Sequence, residues 1–362
     1  MRLMELRLMY HYTRTVHTHL PHYDDPRTRL MWEVDIPQAA FSSELVLSAV
    51  MALSALHLRM LTPGDKDLAY ASGHYFGAAV RRYRPVLSNL TPEMAEQMLI
   101  TAMIITYYTW LVSYSPSPAG TPYQLPLQNF FLLRGVFDLL REVGPWIKSP
   151  NFMWLYTPLV EVEIEPDGEE VCWFLREWAR DRDRFSTAIE ADAASGEISS
   201  EDVELYGLAL GYVSQIITAL CTAAPARQVQ RKISYFVPRM PRRFLDLLAM
   251  RDPRAMALLA RDLALLRVTD WAWWLHGCRE AGMQVEMYHV RGIAELMPVE
   301  WLWSMEWPLR VAGGGLRLDS GDVDEGVKGP VPIPTVDGMM TVPVSLPLPL
   351  PMVAEGMPFL NS

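Results

Sequence analysis

Cysteine is scarce in this chain. Its 362 residues include three, Cys172, Cys221 and Cys278, all far apart and with no C-x-x-C pair. Zinc modules built on closely spaced thiolates are therefore excluded, and a secreted disulfide framework has no support. The three are expected to be single thiols in a reducing compartment. A surplus of positive charge is also missing. The 32 Lys and Arg face 42 Asp and Glu, for a net charge of −10 and a pI near 5.3. A surface of that sign repels phosphate, so sequence-specific DNA binding by this chain alone is not expected.

Long apolar runs are short of what a bilayer demands. The longest strongly apolar stretch, Met98 to Val112, carries three threonines and falls below the roughly 20 residues needed for a span. The N-terminal MRLMELRLMY has charges at Arg2, Glu5 and Arg7 where a signal peptide has a continuous apolar core. Neither export nor a membrane span is expected. The common catalytic signatures are absent: no G-x-S-x-G, no G-x-x-x-x-G-K-[ST], no G-x-G-x-x-G and no H-E-x-x-H. The reading is a protein that is not an enzyme and needs no cofactor or metal.

What is present is helix. Half of the residues are apolar, enough for a large core. Leu3, Leu6 and Tyr10 recur at helical spacing within 2–20, which predicts that their face is buried. The segment 36–61 is rich in alanine and leucine and is stopped by Thr62-Pro63-Gly64. A third helix is predicted from 65 to 90. Thr91-Pro92-Glu93 then supplies a cap, a first-turn proline and an acidic residue for a central helix to 112. The proline-punctuated stretch 113–126 reads as a loop. Further helices are predicted at 127–142, 151–160, 170–189, 200–223, 227–235, 240–250, 253–268 and 270–290, with a short one at 298–309. No convincing alternating strand occurs. The fold class expected is all-α, a large multi-helix bundle over 1–311, followed by a Pro/Gly-rich disordered tail at 312–362.

Two clusters look like sites. His17, His19, His22, Asp24 and Asp25 are metal-ligand types, but they fall at a helix end and in a proline-containing loop, and a solvated capping region accounts for them. Glu161, Glu163, Glu165, Asp167, Glu169 and Glu170 match no calcium-loop spacing and read as a solvated hinge. No metal site is assigned. The most aromatic stretch is DWAWWLH at 270–276, and His276 reads as a core or boundary histidine.

Several segments together carry a resemblance: LRLMYHYT (6–13), IPQAAFSSELVLSAVMALSALHL (36–58), HYFGAAVRRYRPVLSNLTPE (74–93), LLRGVFDLL (132–140) and RAMALLARDLALLRVTDWAWWLHGCREAG (254–282). In this order they resemble the fungal-specific transcription factor domain, and in type the regulatory domain of sterol-uptake control regulators. The resemblance covers about 6–310. It implies an all-helical domain in the nucleus, or shuttling to it from the cytoplasm, that senses a small hydrophobic ligand or binds partner proteins, a second copy included. Members of that family place a six-cysteine binuclear zinc cluster before this domain. Three distant cysteines cannot build one, so this chain is expected to lack it.

With that resemblance, an apolar ligand pocket is expected between the central helix 92–112 and the helix 270–290. Its candidate residues are Met103, Tyr107 and Trp110 on the first, and Trp273, Trp274 and Met283 on the second. Methionine adapts, and tryptophan offers a flat surface with one polar handle, which suits a sterol-like or terpenoid ligand. Packing of these side chains on one another is the bland alternative. The rival function is a helical enzyme or carrier for a lipid-like or terpenoid molecule. Convergent polar residues with shifted pKa inside the pocket would favour it.

Overall fold

The computed structural model describes residues 2–21, 25–114, 122–156, 173–222, 224, 226–268, 272–278 and 282–314. Within them every regular element is helical and no strand occurs. The tail expected from 312 lies, from residue 315 on, outside the described residues, as does the acidic run 161–170.

The chain opens with α1 (Arg2–Arg14), a 3-10 turn at Val16–His19, α2 (Pro26–Leu30) and a π-helical turn at Met31–Asp35 that runs into α3 (Ile36–Ser42). Asp25 caps α2: its carboxylate accepts from the backbone N–H of Arg27 and Thr28. The buried face of α1 carries Leu8 and Tyr12, and the Tyr12 hydroxyl donates to the Trp32 carbonyl at 3.1 Å. Leu3, Leu6 and Tyr10 are instead 83%, 68% and 68% exposed, which corrects the sequence expectation for that face. Helical spacing groups residues on one face but does not say which face meets the core.

Next come α4 (Glu44–Leu61), α5 (Lys66–Leu87) and α6 (Ala95–Ser113). Small residues let α4 sit at close range among its neighbours: Ala49, Ala52 and Ala55 are buried on it, and α1, α3, α5 and α6 all pack against it. α5 starts on Asp65, whose side chain accepts from the Leu68 N–H. Thr91-Pro92-Glu93 forms a turn ahead of α6 rather than its first turn. α6 is buried nearly all round, and its Thr106 and Thr109 hydroxyls donate to carbonyls four residues back, so they enter the core satisfied.

The second half holds α7 (Leu127–Val143), a 3-10 turn at Pro150–Tyr156 where a helix to 160 is predicted, α8 (Trp173–Ser195), α9 (Ser200–Cys221) and α10 (Ala226–Arg239). Ser199 caps α9 through Asp202 N–H. Then follow α11 (Arg242–Ala249), α12 (Pro253–Ala264), α13 (Trp273–His276), α14 (Val285–Leu296) and α15 (Glu306–Ala312). α12 is the hub, touching α9, α10, α14 and α15. The helix predicted over 270–290 is not continuous. Gly277 has φ +78° and Gly282 φ +76°, a left-handed backbone that glycine adopts freely and that ends a right-handed helix.

By length and composition α4 and α9 could each cross a membrane, against the expectation from the Met98–Val112 run alone. Two thirds of the α4 window and 44% of the α9 window are buried within this protein.

Candidate functional site

α6, α7, α10 and α12 meet around a cavity of about 110 Å³, closed on one side by α13. Its walls are chiefly apolar: Met103, Phe130, Leu140, Ile233 and Leu263 come from five turns on four helices. Aromatic contacts hold the frame. Tyr107 packs on Trp274 at 5.0 Å, and Phe137 of α7 meets Tyr235 of α10 edge-on at 4.6 Å. The Trp110 indole donates to the Leu275 carbonyl at 2.6 Å and stacks on His289 at 5.0 Å. His289 in turn is fixed by the Tyr123 hydroxyl at 2.9 Å. Tyr123 can lie that close to α14 because residue 292 is glycine: a Cβ there would fall 2.2 Å from the Tyr123 ring.

The lining also holds polar atoms with no partner among the protein's own groups. Both ends of the Gln230 amide, the Arg231 Nε, the Asp262 Oδ1 and the Trp274 Nε1 are buried without a hydrogen-bond partner. All four residues are at least nine-tenths buried. Each such orphan costs about 1–3 kcal/mol, so four residues of this kind around one cavity are a concentrated expense. Arg231 is otherwise engaged, with its guanidinium over the Tyr235 ring and Nη2 on the Leu155 carbonyl at 3.4 Å. Burial pushes the Asp262 carboxyl well above the usual carboxylate range, because the charged form is desolvated there. Burial also raises the Tyr107 hydroxyl. Chemically, the cavity presents a largely apolar volume with hydrogen-bond donors and acceptors on the α10, α12 and α13 walls.

Of the six residues proposed from sequence, Met103, Tyr107, Trp110 and Trp274 line this cavity. Trp273 points elsewhere: it lies 4.5 Å from the His57 ring, and its indole donates to the Val16 carbonyl at 3.4 Å. Met283 packs over the Gly277 backbone instead. The break at Gly277 separates the two, so of the helix expected over 270–290 only α13 reaches the cavity, and the rest of the lining comes chiefly from α6, α7, α10 and α12.

Sequence reasoning passed over Gln230, Arg231 and Asp262. A signal for Asp262 was present. Leu258 and Leu266, four residues to either side, share its helical face and are 0% and 1% exposed, so the carboxyl sits inside an apolar stripe.

The histidine and aspartate cluster near residue 20 does not assemble as a metal centre among the described residues. His17 binds the Tyr12 carbonyl at 2.8 Å, and Asp25 caps α2, while His22 and Asp24 lie outside the described residues. The His276 side chain lies outside them as well. A second, polar groove runs between α3 and the start of α6. Its carboxylates are already engaged: Glu96 accepts from the Lys148 and Ser149 N–H groups, and Asp35 from Ser149 and Asn151. It is a tied surface joint.

Residues 7–152 match the fungal specific transcription factor domain. That stretch supplies α6 and α7, one wall of the cavity, while the polar wall lies beyond it. Curated relatives extend the likeness. A Zn(2)-C6 fungal-type transcription factor of Gibberella zeae is 28% identical over 91% of this chain. The Zn(2)-C6 fungal-type transcription factor afumD of Aspergillus fumigatus is 24% identical over 70%, and Sterol uptake control protein 2 of Candida albicans 22% over 80%. The chain spans 65%, 65% and 41% of the lengths of these relatives. The likeness is thus to fungal transcription factors, as the sequence segments implied.

Proposed function

We propose that this chain is the regulatory part of a nuclear transcription regulator, and that the cavity between α6, α7, α10 and α12 is its site for a small hydrophobic effector. The relatives support the regulatory role. The single observation that carries the effector site is the cavity itself, apolar in bulk yet lined by four buried residues with unsatisfied polar atoms. Evolution has no packing reason to leave such atoms in a core, whereas a ligand can satisfy them. Size sets a limit on the occupant. A cavity of about 150 Å³ admits benzene, so about 110 Å³ takes a compact ring. A sterol-sized body requires α10 or α13 to move outward. Such movement is a means of signalling: a ligand that binds the wider arrangement better shifts the population towards it and changes the surface shown to partner proteins, a second copy among them. The effector-sensing unit is proposed to comprise 1–311, so that removing 312–362 leaves its melting temperature unchanged.

The test is a reporter assay. The chain is fused to an unrelated DNA-binding module and exposed to a panel of sterols, terpenoids and smaller ring compounds. A response by the wild type that is lost on Val237→Phe, which fills the cavity, supports the proposal. A response indifferent to that substitution would place sensing elsewhere, in protein partners.

One observation favours the rival reading of an enzyme or carrier: a carboxyl, Asp262, is buried beside the cavity in apolar surroundings that favour its protonated form, the setting of a general acid. It stands without a metal-ligating cluster among the described residues, and two of the three relatives carry transcription factor names. Conversion of any panel compound by the purified chain, abolished by Asp262→Asn, would put the rival first.

A further inference from the structure

The effector's chemical character can be read from the polar atoms, on the footing that the cavity is the effector site. The unsatisfied set contains three N–H donors, Gln230 Nε2, Arg231 Nε and Trp274 Nε1, against one fixed acceptor, Gln230 Oε1, and Asp262 Oδ1, which accepts when bare and donates when it carries the carboxyl proton. Exchange of the nitrogen and oxygen of the Gln230 amide leaves that count unchanged. Arg231 and Asp262 also rule on charge. An ammonium group would meet the buried guanidinium. A carboxylate would have to leave water for an apolar cavity, a desolvation cost that the unsatisfied Arg231 Nε would have to offset. A neutral group richer in acceptors than in donors meets neither obstacle.

We propose that the effector is an apolar ring compound bearing a carbonyl-type oxygen, a ketone or lactone, which accepts hydrogen bonds from the Gln230, Arg231 and Trp274 donors while its hydrocarbon body fills the space among Met103, Phe130 and Leu140. The four polar residues come from three separate helices, so their donors surround the site from α10 on one side and α13 on another. An analogue without the oxygen leaves those donors unsatisfied, and that is the strongest basis a site has for rejecting it.

Three probes of one ring size separate the alternatives: cyclohexane, cyclohexanone and cyclohexanecarboxylate. Binding is measured by calorimetry on the whole chain, and the fold of each variant is checked by circular dichroism. Burial of apolar area alone ranks cyclohexane first, because water holds it least well. The proposal reverses that order. The wild type binds cyclohexanone at least tenfold more tightly than cyclohexane, and Gln230→Leu removes the preference. Cyclohexane binding as well as or better than cyclohexanone overturns the proposal and leaves the effector site standing. Cyclohexanecarboxylate binding more tightly than cyclohexanone overturns it in favour of an acidic effector. Failure of all three to bind overturns both the proposal and the effector-site reading. The wild-type comparison decides even where Gln230→Leu fails to fold.

Discussion

Two neighbouring residues on α12 have opposite fates. Arg261 is fully buried, and its guanidinium grips the Asp181 carboxylate of α8 with two bonds of 2.8 and 3.0 Å, donates to the Ala257 carbonyl and lies over the Phe185 ring at 4.6 Å. Arg254, two turns earlier, is likewise surrounded by Asp192, Asp252 and Glu197. Asp262, one residue from Arg261, is just as deep, yet its Oδ1 has no partner. The face of α12 towards α8 is therefore built as structure, each buried charge matched. The face towards α10 carries polar groups whose partner is not in the fold. A buried charge that is paired marks an interface between helices, and a buried polar group left open beside a cavity marks a place for a ligand.

Breaking the paired face has the largest expected effect. Arg261→Met leaves the Asp181 carboxylate stranded. Removing one partner of a buried pair costs about 3–5 kcal/mol, so the denaturant midpoint should fall accordingly. An unchanged midpoint would show that the pair is not formed in solution.

On the other face the sign reverses. Asp262→Leu removes an unsatisfied group and should stabilise the chain by roughly 1–3 kcal/mol while weakening probe binding. The gain depends on pH. The folded carboxyl titrates above its unfolded counterpart, so below pH ~3.8 both are protonated and the cost is absent. As pH rises, the unfolded chain ionises while the folded group stays neutral, and stability drains away. The stability difference between Asp262→Leu and wild type should thus widen upward from pH 4. A constant difference would contradict burial of this carboxyl.

The acid limb belongs to another pair. Burial holds His289 down at about 3, and burial with the Arg7 charge holds His11 at about 4. Their contribution is complete above the ordinary value near 6.5 and is lost as pH falls towards 4 and 3. His289→Phe, which keeps a ring beneath Trp110, should flatten the loss between pH 6.5 and 4. An equally steep acid limb in the variant would assign it elsewhere.

The smallest effect is expected on α1. Leu6→Lys alters an exposed position and should change stability by less than about 0.5 kcal/mol. A loss above about 2 kcal/mol would mean that this stripe is covered, by a partner or by another part of the chain.

This last case shows what a sequence discloses. The period of Leu3, Leu6 and Tyr10 gave a helix correctly, but the core took the face of Leu8 and Tyr12. Most of the helices from α4 to α12 were legible because their periodicity is long and their stops are explicit, as at Thr62-Pro63-Gly64, whereas the short α2 and the break at Ser43 that divides 36–61 into α3 and α4 were not. The break after His276 was not, since Gly277 and Gly282 lie in a stretch whose tryptophans imitate a helical stripe. On the cavity, α6 and Trp274 were legible from apolar and aromatic content. Gln230 and Arg231 were not, because QRK in an amphipathic helix reads as a solvated face, and their burial depends on where α7 and α12 come to rest.

Whether the space between α6, α7, α10 and α12 exists as a fillable cavity is the point on which the rest depends. Val237→Phe tests it without any ligand. In a close-packed core the added ring forces overpacking that costs about 1–3 kcal/mol, whereas in a cavity of about 110 Å³ it finds room. The account predicts a melting temperature equal to or above that of the wild type, measured by calorimetry. A melting temperature lowered by several degrees would show that the helices close over this space, and the effector site would be lost with it.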